Sequence, residues 1–223
     1  MKKEVVAGAV LTLGFVASPE AQPGALPVEL KEEAMVIEYS VSSGEAAIVV
    51  SAEAETRLAR VEVRSPGAPP ILEMRTDRGP GFSFQGFVVE TGEGTPEELF
   101  AEYPPGDYNL RARTIDGRAA FGTAHFSHDL PQATVVNYPT NGAVNVPSTN
   151  LIVSWTADPA VASYRVILEQ HETDLMTVQL VGGSSSFRVP NSVLAPGTRS
   201  RLEIVAVGAN GNCTVVEVPF MTQ

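Results

Sequence analysis

The chain has 223 residues, 43% of them hydrophobic and 18% charged, with 19 Gly and 17 Pro, a composition of short strands and turns around a core rather than of a disordered segment. A net charge of −11 excludes nucleic acid and anionic membrane surfaces as partners, because binding to phosphates is driven by Lys and Arg. The acidity is uneven: residues 22–134 carry 9 Lys/Arg against 18 Asp/Glu, a net of −9, and the remainder to Gln223 carries 4 against 6, a net of −2.

Met1-Lys2-Lys3 precedes an apolar stretch from Val5 to Ala17 and the small residues Ala17, Ser18 and Ala21. That is the order of a secretory signal peptide over residues 1–21. The stretch is shorter than the roughly 20 residues that span a bilayer. The expectation is therefore export to the periplasm or the cell exterior, with no stable membrane insertion after cleavage. Residues 22–31 read as a spacer. Cys213 is the single cysteine, so no intramolecular disulfide can form, and the Asn210-Gly211-Asn212 turn beside it makes it a structural thiol. Asn212-Cys213-Thr214 matches a glycosylation sequon in form, a short match of the kind that arises by chance.

From residue 32 to 129 segments of period 2 recur: Met35–Ser40, Ala46–Ala52, Leu58–Arg64, Ile71–Arg75 and Phe82–Glu90. In Leu58–Arg64, Ala59, Val61 and Val63 oppose Arg60, Glu62 and Arg64, which predicts a half-buried strand. Gly44, Pro66-Gly67, Pro69-Pro70 and Gly79-Pro80-Gly81 supply turns. Thr95, Pro96, Glu97 and Glu98 predict the cap and first turn of a short helix over Pro96–Glu102. Strands follow at Tyr108–Ile115 and Phe121–Phe126, joined through Asp116-Gly117. Residues 130–134, with Pro131, read as a linker that restricts a hinge without making it rigid.

Residues 135–223 show seven strand segments: Val135–Tyr138, Leu151–Trp155, Tyr164–Gln170, Thr177–Leu180, Ser186–Val189, Arg201–Gly208 and Cys213–Phe220. Seven short strands in about 89 residues is the pattern of an immunoglobulin-like sandwich. The fold expected for the whole chain is all-β, two tandem antiparallel β-sandwiches with one short helix in the first.

Leu151-Ile-Val-Ser-Trp155 followed by Tyr164-Arg-Val-Ile-Leu168 resembles the B and C strands of fibronectin type III domains, which implies that Trp155 and Tyr164 are core residues. Leu194-Ala-Pro-Gly-Thr198, then Leu202, Ile204, Ala206 and Asn210-Gly-Asn212, is similar to that family's E–F corner, F strand and F–G turn. Ser200 stands where the family has its corner tyrosine. Pro105-Gly106-Asp107-Tyr108 echoes Pro196-Gly197-Thr198-Arg199-Ser200, which hints at a second, divergent sandwich with Tyr108 as its corner tyrosine. The whole chain resembles exported bacterial proteins that pair such an N-terminal region with a fibronectin-like domain, and no activity comes with that resemblance.

The chemistry legible in the sequence is sparse. His125 and His128, three apart on a strand, point to opposite faces and have no third ligand in view. Glu90, Glu93, Glu97, Glu98, Glu102 and Asp107 form an acidic stretch without calcium-loop spacing, read as a solvated face, with a calcium site left open. There is no nucleophile elbow or P-loop, and Gly182-Gly183-Ser184-Ser185-Ser186 precedes a strand rather than a helix. The sequence thus implies no cofactor, no metal and no catalytic residue. The sharpest binding feature is cationic: Arg111 and Arg113, with Arg118 past the turn, stand out on an acidic domain, and with Glu97 and Glu98 they make up the expected interaction surface. Tyr103, Phe121 and Tyr138 are candidates for an aromatic surface. The function expected is a non-catalytic module that contacts another exported protein or an envelope polymer, with a carbohydrate-binding or matrix accessory role as the alternative and a hydrolase as the remote third.

Overall fold

The computed structural model describes residues 26–65, 69–76, 83–90 and 93–223. The predicted signal peptide and the turns at Pro66-Gly67 and Gly79-Pro80-Gly81 lie outside the described residues. The chain is mostly β with one short helix, in the order β1 (Val28–Glu29), β2 (Lys31–Ser40), β3 (Ala46–Arg64), β4 (Pro70–Arg75), β5 (Phe84–Glu90), α1 (Pro96–Glu102), β6 (Gly106–Thr114), β7 (Ala119–Phe126), β8 (Val136–Tyr138), β9 (Ala143–Val146), β10 (Ile152–Trp155), β11 (Val161–Gln170), β12 (Thr173–Val181), β13 (Ser186–Arg188), β14 (Arg199–Gly208) and β15 (Cys213–Thr222).

In the N-terminal unit, two segments expected as separate strands are one. No Gly or Pro interrupts Glu53-Ala54-Glu55-Thr56-Arg57, and β3 runs unbroken for 19 residues. Its first half lies between β2 and β5, and its second half between β4 and β6, with the register shifting where the partners change. A strand that bends and changes partners in this way carries the chain around the corner of its core. Both halves feed that core: Ile48, Val50 and Ala52 from the first, Leu58, Val61 and Val63 from the second, packed with Met35, Ile37, Tyr108, Leu110 and Phe126. The segment read as a spacer also contributes. Val28–Glu29 pairs in parallel with β7, and Leu30 is buried in the core.

The C-terminal unit has two sheets with one core between them. β8, β10 and β13 form the smaller; β9, β15, β14, β11 and β12 form the other. Alternation decides which side chains enter. Val153 and Trp155 from β10 meet Val166, Leu168, Leu202, Ile204, Val218 and Phe220 from the larger sheet, and Trp155 lies 5.4 Å from Tyr164, centroid to centroid. Each of the seven expected segments contains a strand. Sequence reading missed β9, which follows a cis peptide at Tyr138-Pro139 and runs parallel to β15.

The units are not separately sheeted. Glu38–Ser40 of β2 pairs in parallel with Cys213–Val215 of β15, so one 12-stranded sheet runs from β1 to β12. The linker is fastened to this seam. Asn212, 1% exposed, accepts a hydrogen bond from the Ile37 amide at Oδ1 (3.1 Å) and donates from Nδ2 to the carbonyls of Ser127 and Asp129 (both 2.8 Å). Asn210 Nδ2 also donates to Asp129 O, and Thr214 Oγ1 donates to Pro131 O (2.7 Å). Arg165 pairs with Glu38 across the seam at 3.3 Å. Burial and these bonds leave the sequon asparagine inaccessible. They also hold the segment expected to act as a restricted hinge.

Candidate interaction surface

On β6 the alternation sends Tyr108, Leu110, Ala112 and Thr114 inward and leaves Asn109, Arg111 and Arg113 exposed. On β3 it buries Val61 and Val63 and turns Arg60, Glu62 and Arg64 outward, and on β4 it exposes Glu73 and Arg75. Register then decides who meets whom. Arg113 lies directly opposite Arg60, which lies directly opposite Arg75. One row along, Phe121, Arg111, Glu62 and Glu73 oppose each other in turn. This outer face therefore carries five arginines, Arg60, Arg64, Arg75, Arg111 and Arg113, with Glu62 and Glu73 among them and Glu29 and Asp107 at its border.

Directly opposed like charges destabilise a sheet, so the cation row needs compensation. Part of it is local. Arg60 pairs with Glu62 and, at 3.1 Å, with Glu73, and Arg64 donates to Glu62 from Nη2 (2.8 Å) and Nε (3.1 Å). The Arg64 hydrogen bond, together with the charges of Arg60, Arg64 and Arg111, holds the Glu62 carboxyl below the usual carboxylate range. Both glutamates are thus engaged. Among the described residues, neither Arg113 nor Arg111 has a hydrogen bond or ion pair, and the charge of Arg111 acts on Glu62. Beside Arg111, Phe121 is 50% exposed and borders a depression of about 640 Å³ that Glu29, Glu33 and Asn109 also line.

Arg118 does not belong to this row. It stands opposite Thr114, whose hydroxyl accepts from the Arg118 amide, and its guanidinium is held by Asp116 at 2.9 Å. Glu98 is consumed by its own helix. Thr95 Oγ1 accepts from the Glu98 amide and the Glu98 carboxylate accepts from the Thr95 amide at 3.0 Å, a closed capping box. That amide hydrogen bond lowers the Glu98 carboxyl pKa. Glu97 is an exposed residue of the same first turn, which suits the helix dipole. The structure therefore brings Arg111 and Arg113 together, adds Arg60, Arg64 and Arg75, and leaves Arg118, Glu97 and Glu98 in local structural roles. The exposed face of Leu58–Arg64 was visible in the sequence, but the cross-strand register that aligns it with Arg113 was not.

The remaining chemical groups are dispersed. His125 bonds Asp107 at 2.8 Å, while His128 donates from Nε2 to Tyr103 O and stacks on Phe100 at 4.1 Å. Cys213 is 8% exposed, and burial pushes its thiol up to about 11, far from a nucleophile's range. Tyr138, on β8 of the other unit, does not join Phe121. Among the described residues no helix is long and apolar enough to cross a membrane.

No family model matches the chain, and no curated protein matches it. Similar solved structures include the first three fibronectin domains of chicken CNTN1, at 12% identity and TM-score 0.35, covering 88% of this chain and 68% of that one. The fibronectin(III)-like modules of Clostridium thermocellum CbhA match at 14% identity and TM-score 0.36, covering 87% and 93%. A tetra-tandem repeat in the extending region of a large adhesion protein matches at 15% identity and TM-score 0.32, covering 85% and 50%.

Proposed function

We propose that this protein is an exported, non-catalytic interaction module that docks a carboxylate-bearing partner on the outer face of β4, β3 and β6. The observation that carries this reading is the exposed pair Arg111 and Arg113 on β6, with Arg113 directly opposite Arg60, in an otherwise acidic unit. Arg113 opposite Arg60 costs stability in the isolated sheet, and a partner's carboxylate at Arg111 and Arg113 offsets that cost. Arginine suits the task, since its planar fork binds carboxylates with two parallel hydrogen bonds. The positively charged, apolar and small-residue segments of residues 1–21 support export to the periplasm or exterior. The pairing of β8, β10 and β13, facing β12, β11, β14 and β15, supports a fibronectin type III-like C-terminal unit that serves as scaffold. Non-catalytic character is supported by the uses already found for the reactive groups: Glu98 caps a helix, Cys213 is buried, and the two histidines serve different contacts.

The partner reads first as an acidic segment of another exported protein. Phe121 beside Arg111 favours a second reading, an acidic glycan, because an exposed ring can stack on a sugar face. Calorimetric titration with poly-L-glutamate, polygalacturonate and a neutral glucan separates the two. Salt-sensitive binding to poly-L-glutamate alone supports the protein partner, and binding to polygalacturonate that is lost in Phe121→Ala supports the glycan. Failure of both polyanions to bind at low salt would rule out the cationic face as the docking surface.

A further inference from the structure

The 12-stranded sheet ends at β12. This strand has nine residues, Thr173–Val181, with one charge, Asp174, and no Lys or Pro. Among the described residues it pairs only with β11, and its other edge is unpaired. Such an edge is a template for a further strand, and sheets usually blunt it with charge, proline or bulges. Here the one blunting feature sits at the start: Leu168 faces Met176 and Glu169 faces Asp174, so Leu175 is an extra residue. From Met176 to Val181 the strand is regular. Met176 and Leu180 are only partly buried against the C-terminal core, and Leu175 and Val181 are 41% and 78% exposed.

We infer that β12 pairs antiparallel with β12 of a second copy of this chain about a two-fold axis at Val178. The strand is complementary to itself in that register. Val178 meets Val178, Met176 meets Leu180, and Thr177 meets Gln179, so each face of the extended sheet stays continuous. Exposed Leu175 meets exposed Val181. Asp174 falls opposite Gly182, so no like charges oppose one another. An isologous contact of this kind closes after two copies and leaves no β12 edge to recruit a third. The sheet already grows by strand addition within the chain, where β2 joins β15. The occupant is a second copy because one short strand supplies both halves of every apolar pair. The contact is independent of the arginine face, which lies in the other unit.

Sedimentation equilibrium of the full chain tests this over a wide concentration range. The wild type forms a reversible dimer. In L175K/V181K, lysines oppose each other twice by symmetry, and dimerisation weakens about tenfold or more. In L175K/V181E the same register places lysine against glutamate, and affinity returns in a salt-sensitive form. Both positions are exposed, and circular dichroism checks that each variant keeps its fold. A wild type that remains monomeric at the highest concentration reached overturns the inference. So does a lysine pair that dimerises like the wild type, or a charge-swapped pair no tighter than the lysine pair.

Discussion

The two units secure a Pro-Gly loop ahead of a long strand by different chemistry. In the N-terminal unit Tyr108, fully buried and edge-on to Phe126 at 6.1 Å, donates its hydroxyl to Pro104 O at 2.9 Å. One side chain closes that loop. In the C-terminal unit the loop before β14 is held by a network around Ser200. Gln170, 5% exposed, donates from Nε2 to Ser200 Oγ (2.9 Å) and Ala195 O (3.1 Å), and accepts from the Ala195 amide (2.9 Å). Thr222 Oγ1 donates to Ala195 O and accepts from the Thr198 amide. Three short polar side chains from β11, β14 and β15 fasten the loop that one tyrosine fastens in the other unit.

The comparison is broken most severely at the seam. Asn212→Ala strips the partner from the Ile37 amide and from two linker carbonyls, and leaving buried groups unpaired costs about 3 kcal/mol. Urea denaturation gives the loss, and faster amide exchange at Ile37 and Val41 locates it where β2 joins β15. The loops come next. Gln170→Leu leaves the Ala195 amide and the Ser200 hydroxyl without Gln170 and costs about 2 kcal/mol, whereas Tyr108→Phe removes one hydrogen bond and costs about 1 kcal/mol. Equal losses would show that the network is redundant.

A smaller effect separates the units by pH. On the outer face of the C-terminal sheet, Arg201 pairs with Glu169 at 2.6 Å and with Glu203 and Glu217 at 3.1 Å. Burial, opposed by Arg201 and reinforced by Glu169 and Glu217, raises Glu203 to about 7. The folded state therefore holds this proton more tightly than the unfolded one. The Glu203 contribution to stability is complete below the ordinary glutamate value and falls as pH rises from there to about 7. Glu203→Gln is expected to raise the melting temperature at pH 8 by about 2–4 °C and to leave it unchanged at pH 4. A variant equally stabilised at both values would trace the effect to packing instead.

How much of this was legible before the fold is clearest in particular residues. The half-buried faces of Leu58–Arg64 and Tyr108–Thr114 followed from alternation, and the helix from Thr95, Pro96, Glu97 and Glu98, because these signals are local. Trp155, Tyr164 and Tyr108, picked out by their motifs, are each 1% exposed or less. The union of two expected strands into β3 was missed because bending without a turn residue leaves no mark in the sequence. The seam was missed for a deeper reason. Three residues of parallel pairing between β2 and β15, 175 positions apart at Ile37 and Asn212, have no local pattern, and the asparagine that locks them sat inside a chance sequon. Likewise each arginine was visible, but their opposition depends on register, which emerges only when three strands pair.

The smallest effect on stability carries the central claim, that the arginine row is kept for a partner and not for the fold. R111T/R113T removes the two cations without a dedicated carboxylate and places a good strand former at each position. Its stability is expected to stay within about 0.5 kcal/mol of the wild type or to rise. Its affinity for poly-L-glutamate at low salt is expected to fall at least about tenfold. Unchanged binding, or a clear loss of stability in the double variant, would contradict the account by showing that the row serves the sheet itself.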